Sequence, residues 1–127
     1  NMYSFNLYPV TIKGKRYRLP CNMNSSRFVH WASKKLVDDA FINDAWIEIT
    51  ALHIPKCDKI KLSLEEHACH FADDDNIWSS MKKIKDLFVK MKIIKDDDYT
   101  HCQMGEIVHI KEMHRKDEYL KIKIEII

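Results

Sequence analysis

Two runs of three consecutive aspartates flank an amphipathic stretch of this 127-residue chain. The first run occupies residues 73–75 and the second occupies residues 96–98. Adjacent carboxylates repel one another, and folding alone does not require such a run twice. The aspartates are therefore either solvated caps and turns or carboxylates gathered around a cation.

Spacing indicates which carboxylates of the first run could act together. In an extended chain, residues two apart face the same side, so Asp73 and Asp75 point one way and Asp74 the other. The segment that follows predicts a helix over residues 75–91, with apolar residues at the 4-3-4-3 spacing of a buried stripe. That stripe comprises Ile77, Met81, Ile84, Phe88 and Met91.

One lysine falls on the same predicted helix face as the first aspartates. Asp75, Ser79 and Lys82 are spaced four and three residues apart, which places them on one polar stripe. At the far end of the helix, "IIKDDDY" supplies the second acidic run. We expect the next strand, returning along the sheet, to bring Asp97 back towards Asp73 and Asp75.

Carboxylates and a lysine in this arrangement suit metal-dependent hydrolysis of a phosphodiester. Mg²⁺ prefers carboxylate oxygens and keeps several waters, so two or three aspartates suffice to hold it; Mn²⁺ accepts the same ligands. The cation polarises the phosphoryl group, and a nearby lysine stabilises the negative charge of the transition state. Spacing alone leaves the capping and the metal-site interpretations equally open.

The order of these motifs resembles the RusA family of Holliday junction resolvases, endonucleases encoded mostly by phages and prophages. The shared features are "DDDN", a lysine-bearing amphipathic helix, "IIKDDDY" and a predicted terminal β-hairpin, within residues 58–127. The resemblance implies metal-binding, catalytic aspartates at Asp73, Asp75 and Asp97 and a catalytic lysine at Lys82. It also implies Mg²⁺ as the cofactor, branched DNA as the substrate, a homodimer, and the cytoplasm of a bacterial cell as the location.

Two positions depart from the family pattern. The family lysine comes three residues after the asparagine, where this chain has Ser79, so Lys82 lies one helical turn further along. The family glycine before the hydrophobic pair is Lys92 here. The alternatives that stay open are Lys83 or Ser79 for the lysine position, and Asp96 or Asp98 for the third aspartate.

A basic cluster near the N-terminus, "KGKRYR", is the predicted DNA-binding surface. Neutralising backbone phosphates supplies most nonspecific DNA affinity, although such a cluster is also typical of a solvated hairpin. The predicted phosphate contacts are Lys13, Lys15, Arg16 and Arg18, together with Asn76 and Lys83. A non-catalytic DNA-binding or interaction module that retains the fold is the alternative function.

Zinc is the main competing chemistry. Cys57, His67, Cys69 and His70 offer soft ligands, but no second closely spaced pair completes a tetrahedral set. The four cysteines contain no CxxC pair, which fits a reducing cytosol better than a disulfide framework.

The predicted fold class is α/β (α+β), a small mixed β-sheet with two main helices packed on it, in one domain over residues 1–127. Strands are predicted in "MYSFNLYPV", in a hairpin turning at Gly14, and in "KIKLSLEEHACHF". A terminal antiparallel hairpin is predicted from "EIVHIKEM" and "EYLKIKIEII". A first helix, capped by Ser25 or Ser26, is predicted to bury Phe28, Trp31, Leu36 and Phe41, and "WIEITALHI" fits either its end or an edge strand.

Composition limits the function classes. A hydrophobic content of 46% is enough for one domain with a core, and a net charge of +2 excludes a polycation. No apolar run approaches the ~20 residues that a membrane-spanning helix needs. Composition therefore predicts no membrane partner and leaves nucleic acid to local basic sites, and the DNA partner is the one that the resemblance implies.

Overall fold

The computed structural model describes residues 1–19 and 31–127, and side chains in the second range from residue 34 onward. Within these residues the elements are β1 (Met2–Leu7), β2 (Val10–Ile12), β3 (Lys15–Tyr17), α1 (Trp31–Leu52), β4 (Ile60–Ala68), α2 (Asp74–Ser80), α3 (Lys82–Lys90), β5 (Cys102–Lys111) and β6 (Tyr119–Ile126). The main sheet has the order β1-β6-β4-β5, and β2 and β3 form a separate hairpin. The fold is the predicted mixed sheet with a helical layer. In this part of the chain, no helix has both the length and the apolar character needed to cross a bilayer.

The connection between β4 and β5 decides the topology. The chain leaves the end of β4, runs back through α2 and α3, and re-enters the sheet as β5, parallel to β4. Parallel neighbours need such a crossover, which a helix usually supplies. This helical connection therefore separates the residues at the start of α2 from those at the start of β5.

The predicted terminal hairpin of β5 and β6 is wrong. β6 pairs antiparallel with both β1 and β4, so it lies inside the sheet and does not contact β5 as a ladder partner. Leu120, Ile122 and Ile124 on β6 are fully buried, in keeping with a central position in the sheet. β5 buries far less of its length and forms the edge of the sheet.

The stripe predicted for the second helix is confirmed. Ile77, Met81, Ile84 and Phe88 are buried in the hydrophobic core, and Met91 is partly buried against it. The helix is divided at Met81 into α2 and α3, although backbone hydrogen bonds continue across the division. The two pieces form one interrupted helix from the first acidic run towards the second.

The first helix is confirmed over its described part, with a different buried face. Val37, Phe41, Ala45 and Ile49 recur every four residues and are buried, whereas Leu36 is 44% exposed. Leu36 lies one residue, about 100° of rotation, away from the buried position Val37. The segment "WIEITALHI" is helical as far as Leu52. Ser25, Ser26 and Phe28, and the side chain of Trp31, lie outside the described residues.

The β2–β3 hairpin turns where the sequence predicts. Lys13 and Gly14 both have positive φ, 51° and 76°, as a two-residue turn between antiparallel strands requires. A second glycine, Gly105, marks the irregularity in the β4–β5 ladder between Leu62 and Leu64. A Cβ atom at Gly105 would lie 2.9 Å from the carbonyl oxygen of Leu62, so only glycine fits without a shift.

Candidate functional site

The first acidic run is held against the end of β4 by a short loop, residues 69–73, which together with the run is called the acidic loop. The Ala72 amide donates hydrogen bonds to both carboxylate oxygens of Glu66, at 3.1 and 3.3 Å. Asp73 is the N-cap residue of α2, and Asp74 binds His109 Nε2 at 2.9 Å. The position of the run is therefore fixed from both β4 and β5.

Glu66 is the centre of this support. Its side chain is completely buried, and its carboxylate also accepts hydrogen bonds from Arg18 at 3.0 Å and from His109 Nδ1 at 2.7 Å. Burying a carboxylate is unfavourable unless charged and polar donors compensate, and here an arginine, a histidine and an amide do so. Glu66 therefore links the β3 end, the acidic loop and β5.

His109 bridges Glu66 and Asp74 through its two ring nitrogens. Only the protonated imidazole can donate at both nitrogens. Burial lowers the pKa of His109, but the hydrogen bonds to the two carboxylates raise it more, so this pKa lies above its usual range. Sequence analysis missed both Glu66 and His109. The sequence did contain a signal for Glu66, because the alternation of Ile60, Leu62 and Leu64 on β4 predicts that the residue two positions further on also faces the core.

A second buried carboxylate supports the other side of the loop. Glu118 accepts hydrogen bonds from Arg16 at 2.7 Å and from the Cys69 amide at 3.0 Å. Burial raises the pKa of Glu118, but the Cys69 amide and Arg16 lower it more, so this carboxyl has a pKa below its usual value. Arg18 also approaches Glu118, at 3.7 Å.

The arginines and the lysines of the predicted DNA-binding cluster consequently have different surroundings. Arg16 and Arg18, whose side chains are 28% and 18% exposed, form ion pairs that stabilise the fold near the acidic loop. Lys13 and Lys15 remain exposed at the turn, where Lys15 Nζ lies 5.7 Å from the Tyr17 ring centre. Binding of phosphate by these arginines would compete with their ion pairs.

Within the first acidic run, the three aspartates have different surroundings. Asp74 is engaged with His109, whereas the carboxylates of Asp73 and Asp75 are exposed and form no hydrogen bond or ion pair in the described part of the chain. Strand alternation in the sequence predicts Asp73 and Asp75 on one side, but α2 begins at Asp74, so Asp74 and Asp75 are helical and that alternation does not apply. Asn76, which follows, is partly buried, and its carbonyl accepts a hydrogen bond from Ser80.

The lysines of the interrupted helix are also distinguished by their contacts. Lys83 forms a 2.7 Å ion pair with Asp38 of α1, a residue that is 9% exposed. Lys82 is exposed and has no ion pair among the described residues. It lies seven residues after Asp75, or about 10 Å along a helix axis, and a helical side chain leans towards the N-terminus. Of the two lysines, Lys82 is therefore the one without an ion pair in this part of the chain, and Ser79 is exposed one turn closer to Asp75.

The second acidic run repeats this division of roles. Asp98 accepts hydrogen bonds from Thr100 and His101, including 2.6 Å from the Thr100 hydroxyl and 2.7 Å from His101 Nδ1. Thr100 first, and then His101, hold the pKa of Asp98 below its usual value. Asp96 accepts a hydrogen bond from the Asp97 amide at 2.7 Å. The Asp97 carboxylate is partly buried and has no partner among the described residues.

The two acidic runs lie at opposite ends of the sheet. The carbonyl of Asp98 accepts a hydrogen bond from the amide of Cys102, at the start of β5, whereas Asp74 contacts His109, seven residues along the same strand. At about 3.3 Å per residue, this is about 23 Å. The expectation that the returning strand brings Asp97 back to the first run is therefore wrong within one chain, because β5 runs parallel to β4.

One chain alone accordingly lacks a three-carboxylate site in the described residues, where no three potential metal-ligating side chains lie together. The competing zinc set is dispersed as well. Cys57 precedes β4, whereas His67 lies near its end with both ring nitrogens 3.1 Å from glutamates. The ring of His67 also stacks on Tyr119 at 4.1 Å.

Asp73 at the N-cap and Asp75 in the first turn of α2 are the two carboxylates of the first run without a partner in the described part of the chain, and carboxylate oxygens are the ligands that hard divalent cations prefer. Lys82 offers positive charge along the same helix, and Asp97 offers a further free carboxylate at a distance. Comparison with known proteins adds no relative to these observations, since no protein-family model matches the chain and no curated protein matches it significantly.

Proposed function

We propose that this protein is a Mg²⁺-dependent endodeoxyribonuclease that cleaves branched DNA, with the Holliday junction as the expected substrate. The observation that carries the proposal is that only some aspartates of the two acidic runs have hydrogen-bond partners. Asp74, Asp96 and Asp98 hold local structure through hydrogen bonds. Asp73, Asp75 and Asp97 have free carboxylates in the described part of the chain, and capping alone does not require them.

The proposal requires two copies of the chain. Since the two runs lie at opposite ends of β5, whose length from Cys102 to His109 is about 23 Å, a shared cation would draw on Asp73 and Asp75 of one subunit and Asp97 of the other. An isologous dimer forms two such sites related by a two-fold axis. A four-way junction has the same symmetry and needs one nick in each of two strands.

The residues would divide the chemistry as follows. Asp73, Asp75 and Asp97 would hold Mg²⁺, which supplies polarisation of the phosphoryl group and activation of water when bound. Lys82 would stabilise the negative charge that develops on the phosphoryl oxygens. The ion pairs around Glu66 would keep the acidic loop in place during the reaction.

The first test is cleavage of a synthetic four-way junction with Mg²⁺ and with EDTA. Asp73→Asn, Asp75→Asn and Asp97→Asn should each abolish cleavage without lowering the melting temperature. Asp96→Asn, matched to Asp97→Asn within the same run, should retain activity. Cleavage that persists in EDTA, or a fully active Asp75→Asn protein, would refute the proposal.

Lys82→Ala tests the lysine assignment. The variant should lose much more turnover than junction affinity, because a contact made in the transition state affects rate rather than binding. Ser79→Ala, one turn earlier on the helix, should remain active. An active Lys82→Ala protein alongside an inactive Ser79→Ala protein would place the catalytic group at the shorter spacing.

Mixed dimers test the shared site directly. When inactive Asp75→Asn and Asp97→Asn proteins are unfolded together and refolded, mixed dimers have one site with all wild-type residues if the site spans two subunits. Single nicks in the junction should then return. A mixture of Asp73→Asn with Asp75→Asn is the matched control, since both mixed sites remain defective. Rescue in neither mixture, from proteins shown to exchange subunits, would exclude the two-subunit site.

A non-catalytic DNA-binding or interaction module is the second candidate. It is favoured by the separation of the acidic runs in one chain, because a monomer could use the aspartates only in caps and turns. Light scattering discriminates the two. A mass of about twice 15.1 kDa together with metal-dependent cleavage supports the nuclease, whereas a monomer that binds junctions without cutting them supports the module.

A further inference from the structure

We propose that a lysine-lined cavity at the start of β4 binds backbone phosphates of DNA. The cavity lies between the loop that precedes β4 and the turn that follows α3, and it has a volume of about 540 Å³. Its lining includes Lys56, Lys92 and Lys95, together with Asp58 and His101. The inference deepens the proposed function, on which it rests, by naming where the substrate backbone is gripped.

The backbone on both sides of the cavity is tied together. The amide of Cys57 donates a 2.8 Å hydrogen bond to the carbonyl of Ile93, which joins the loop to the turn. Lys92 has a left-handed φ of 60°, and the next amide, Ile93, bonds back to Phe88 at 2.9 Å. The lysines are therefore presented from a connected frame and not from independent loops.

The lysines of this cavity are available for a ligand. Lys56, Lys92 and Lys95 are exposed and form no ion pair among the described residues. Asp58 is the one carboxylate in the described lining, so three positive charges face one negative charge. The basic cluster predicted from sequence differs in this respect, since its two arginines are already bound to buried glutamates.

The cavity adjoins the second acidic run. His101 lines the cavity and binds Asp98 through its Nδ1 atom. The amides of His101 and Cys102 donate hydrogen bonds to the carbonyl of Asp98, so the neighbouring Asp97 lies at the same end of the sheet. A DNA strand bound by these lysines would thus pass beside Asp97, the carboxylate proposed as the third metal ligand.

A purely structural role explains less of the pattern. Cations after the last turn of a helix stabilise its dipole, which would account for Lys92 directly after α3. Lys56 belongs to a different connection, before β4, and the dipole of α3 does not explain its place in the same lining. A phosphate ligand accounts for lysines on both connections.

The test measures junction binding in EDTA, where no metal-dependent cleavage occurs, at several salt concentrations between 50 and 200 mM. Lys56→Gln/Lys95→Gln avoids the strained position Lys92. Loss of two phosphate contacts should lower the slope of log K against log salt by about 1.8, or about 60-fold in affinity at 100 mM if binding is equal at 1 M. Lys35→Gln/Lys121→Gln removes the same charge elsewhere and should leave the slope unchanged.

The predicted hairpin surface provides the competing comparison. Lys13→Asn/Lys15→Gln removes two positive charges from the β2–β3 turn, with asparagine tolerated at the left-handed position. An unchanged slope in the cavity variant, or an equal loss in the Lys35→Gln/Lys121→Gln control, would overturn the inference. A loss confined to the hairpin variant would overturn it too, and would return the contact to the sequence-predicted cluster.

Cys57 supplies an independent readout, because it lines the cavity and is partly buried. Burial, and then Asp58, raise the pKa of the Cys57 thiol, so alkylation is measured at alkaline pH. Saturating junction DNA should slow alkylation of Cys57, and Lys56→Gln/Lys95→Gln should remove the protection. Protection by inorganic phosphate and not by DNA would overturn the inference. An inactive protein that still shows the slope change and the protection would refute the nuclease but not this binding site.

Discussion

Glu66→Ala should destabilise the protein more than any substitution of the exposed aspartates. The Glu66 carboxylate is fully buried and accepts hydrogen bonds from Arg18, His109 and the Ala72 amide. Removing one member of a buried ionic network costs about 3–5 kcal/mol. Because the Arg18 side chain is 18% exposed and can recover some hydration, the lower value of about 3 kcal/mol is expected.

That loss is large enough to be measured by two methods. With an unfolding entropy of about 2.1 cal/mol/K per residue, a domain of this size loses about 11 °C in melting temperature for about 3 kcal/mol. Urea denaturation followed by circular dichroism should give the same difference in the free energy of unfolding, provided that the slope with denaturant is unchanged. Junction cleavage should fall as well, because the acidic loop loses its main anchor on β4.

Glu65→Ala is the matched control. Glu65 is the preceding residue on β4, points to the opposite face, and pairs with Lys123 and His67 while 21% exposed. Ion pairs with this much solvent access contribute less than about 1 kcal/mol. Equal destabilisation of the two alanine variants, each below about 1 kcal/mol, would refute the conclusion that the buried network holds the loop.

Three further changes test the acidic runs and the sheet. The pKa of His109 is raised in the folded protein, so the stabilisation of the fold by protonated His109 is complete below the unfolded pKa and declines as pH rises through the folded pKa. The difference in unfolding free energy between wild type and His109→Gln should therefore shrink between pH 5.5 and 8.5, and a constant difference would contradict this. Gly105→Ala should lower the free energy of unfolding, measured in thermal melts, by about 1–3 kcal/mol, since its Cβ would lie 2.9 Å from the Leu62 carbonyl oxygen. An unaltered melting temperature would show that the β4–β5 pairing adjusts to the added methyl group. Asp98→Ala should lower the melting temperature whereas Asp97→Ala should not, and the reverse order would exchange their assigned roles.

Local periodicity predicted most of the elements. The alternation of Ile60, Leu62 and Leu64 indicated β4, and the stripe through Ile77 and Phe88 indicated the interrupted helix, because side-chain burial follows the period of each element. The pairing of β5 and β6 could not be obtained in this way. Adjacent strands usually pair, but the insertion of β6 between β1 and β4 depends on contacts between distant parts of the chain.

The support of the acidic loop was also hidden from sequence analysis. Arg16 and Arg18 resemble a DNA-binding cluster when only neighbouring residues are considered. Their partners Glu66 and Glu118 are about 50 and 100 residues away in sequence, and burial makes these ion pairs part of the fold. A basic cluster is therefore a weak predictor of a nucleic-acid surface until the long-range acidic partners are known.

Spacing likewise cannot decide whether two acidic runs share one site. The interrupted helix and β4 extend over similar lengths, so a helical crossover between parallel strands carries the chain from one end of the sheet to the other. Carboxylates before and after such a helix must lie apart in one chain, whatever their residue types. If one cation draws on both runs, a second copy has to present its β5 start to the loop after β4. In a two-fold dimer that single contact forms twice, which supplies two equivalent sites for two cleavage events.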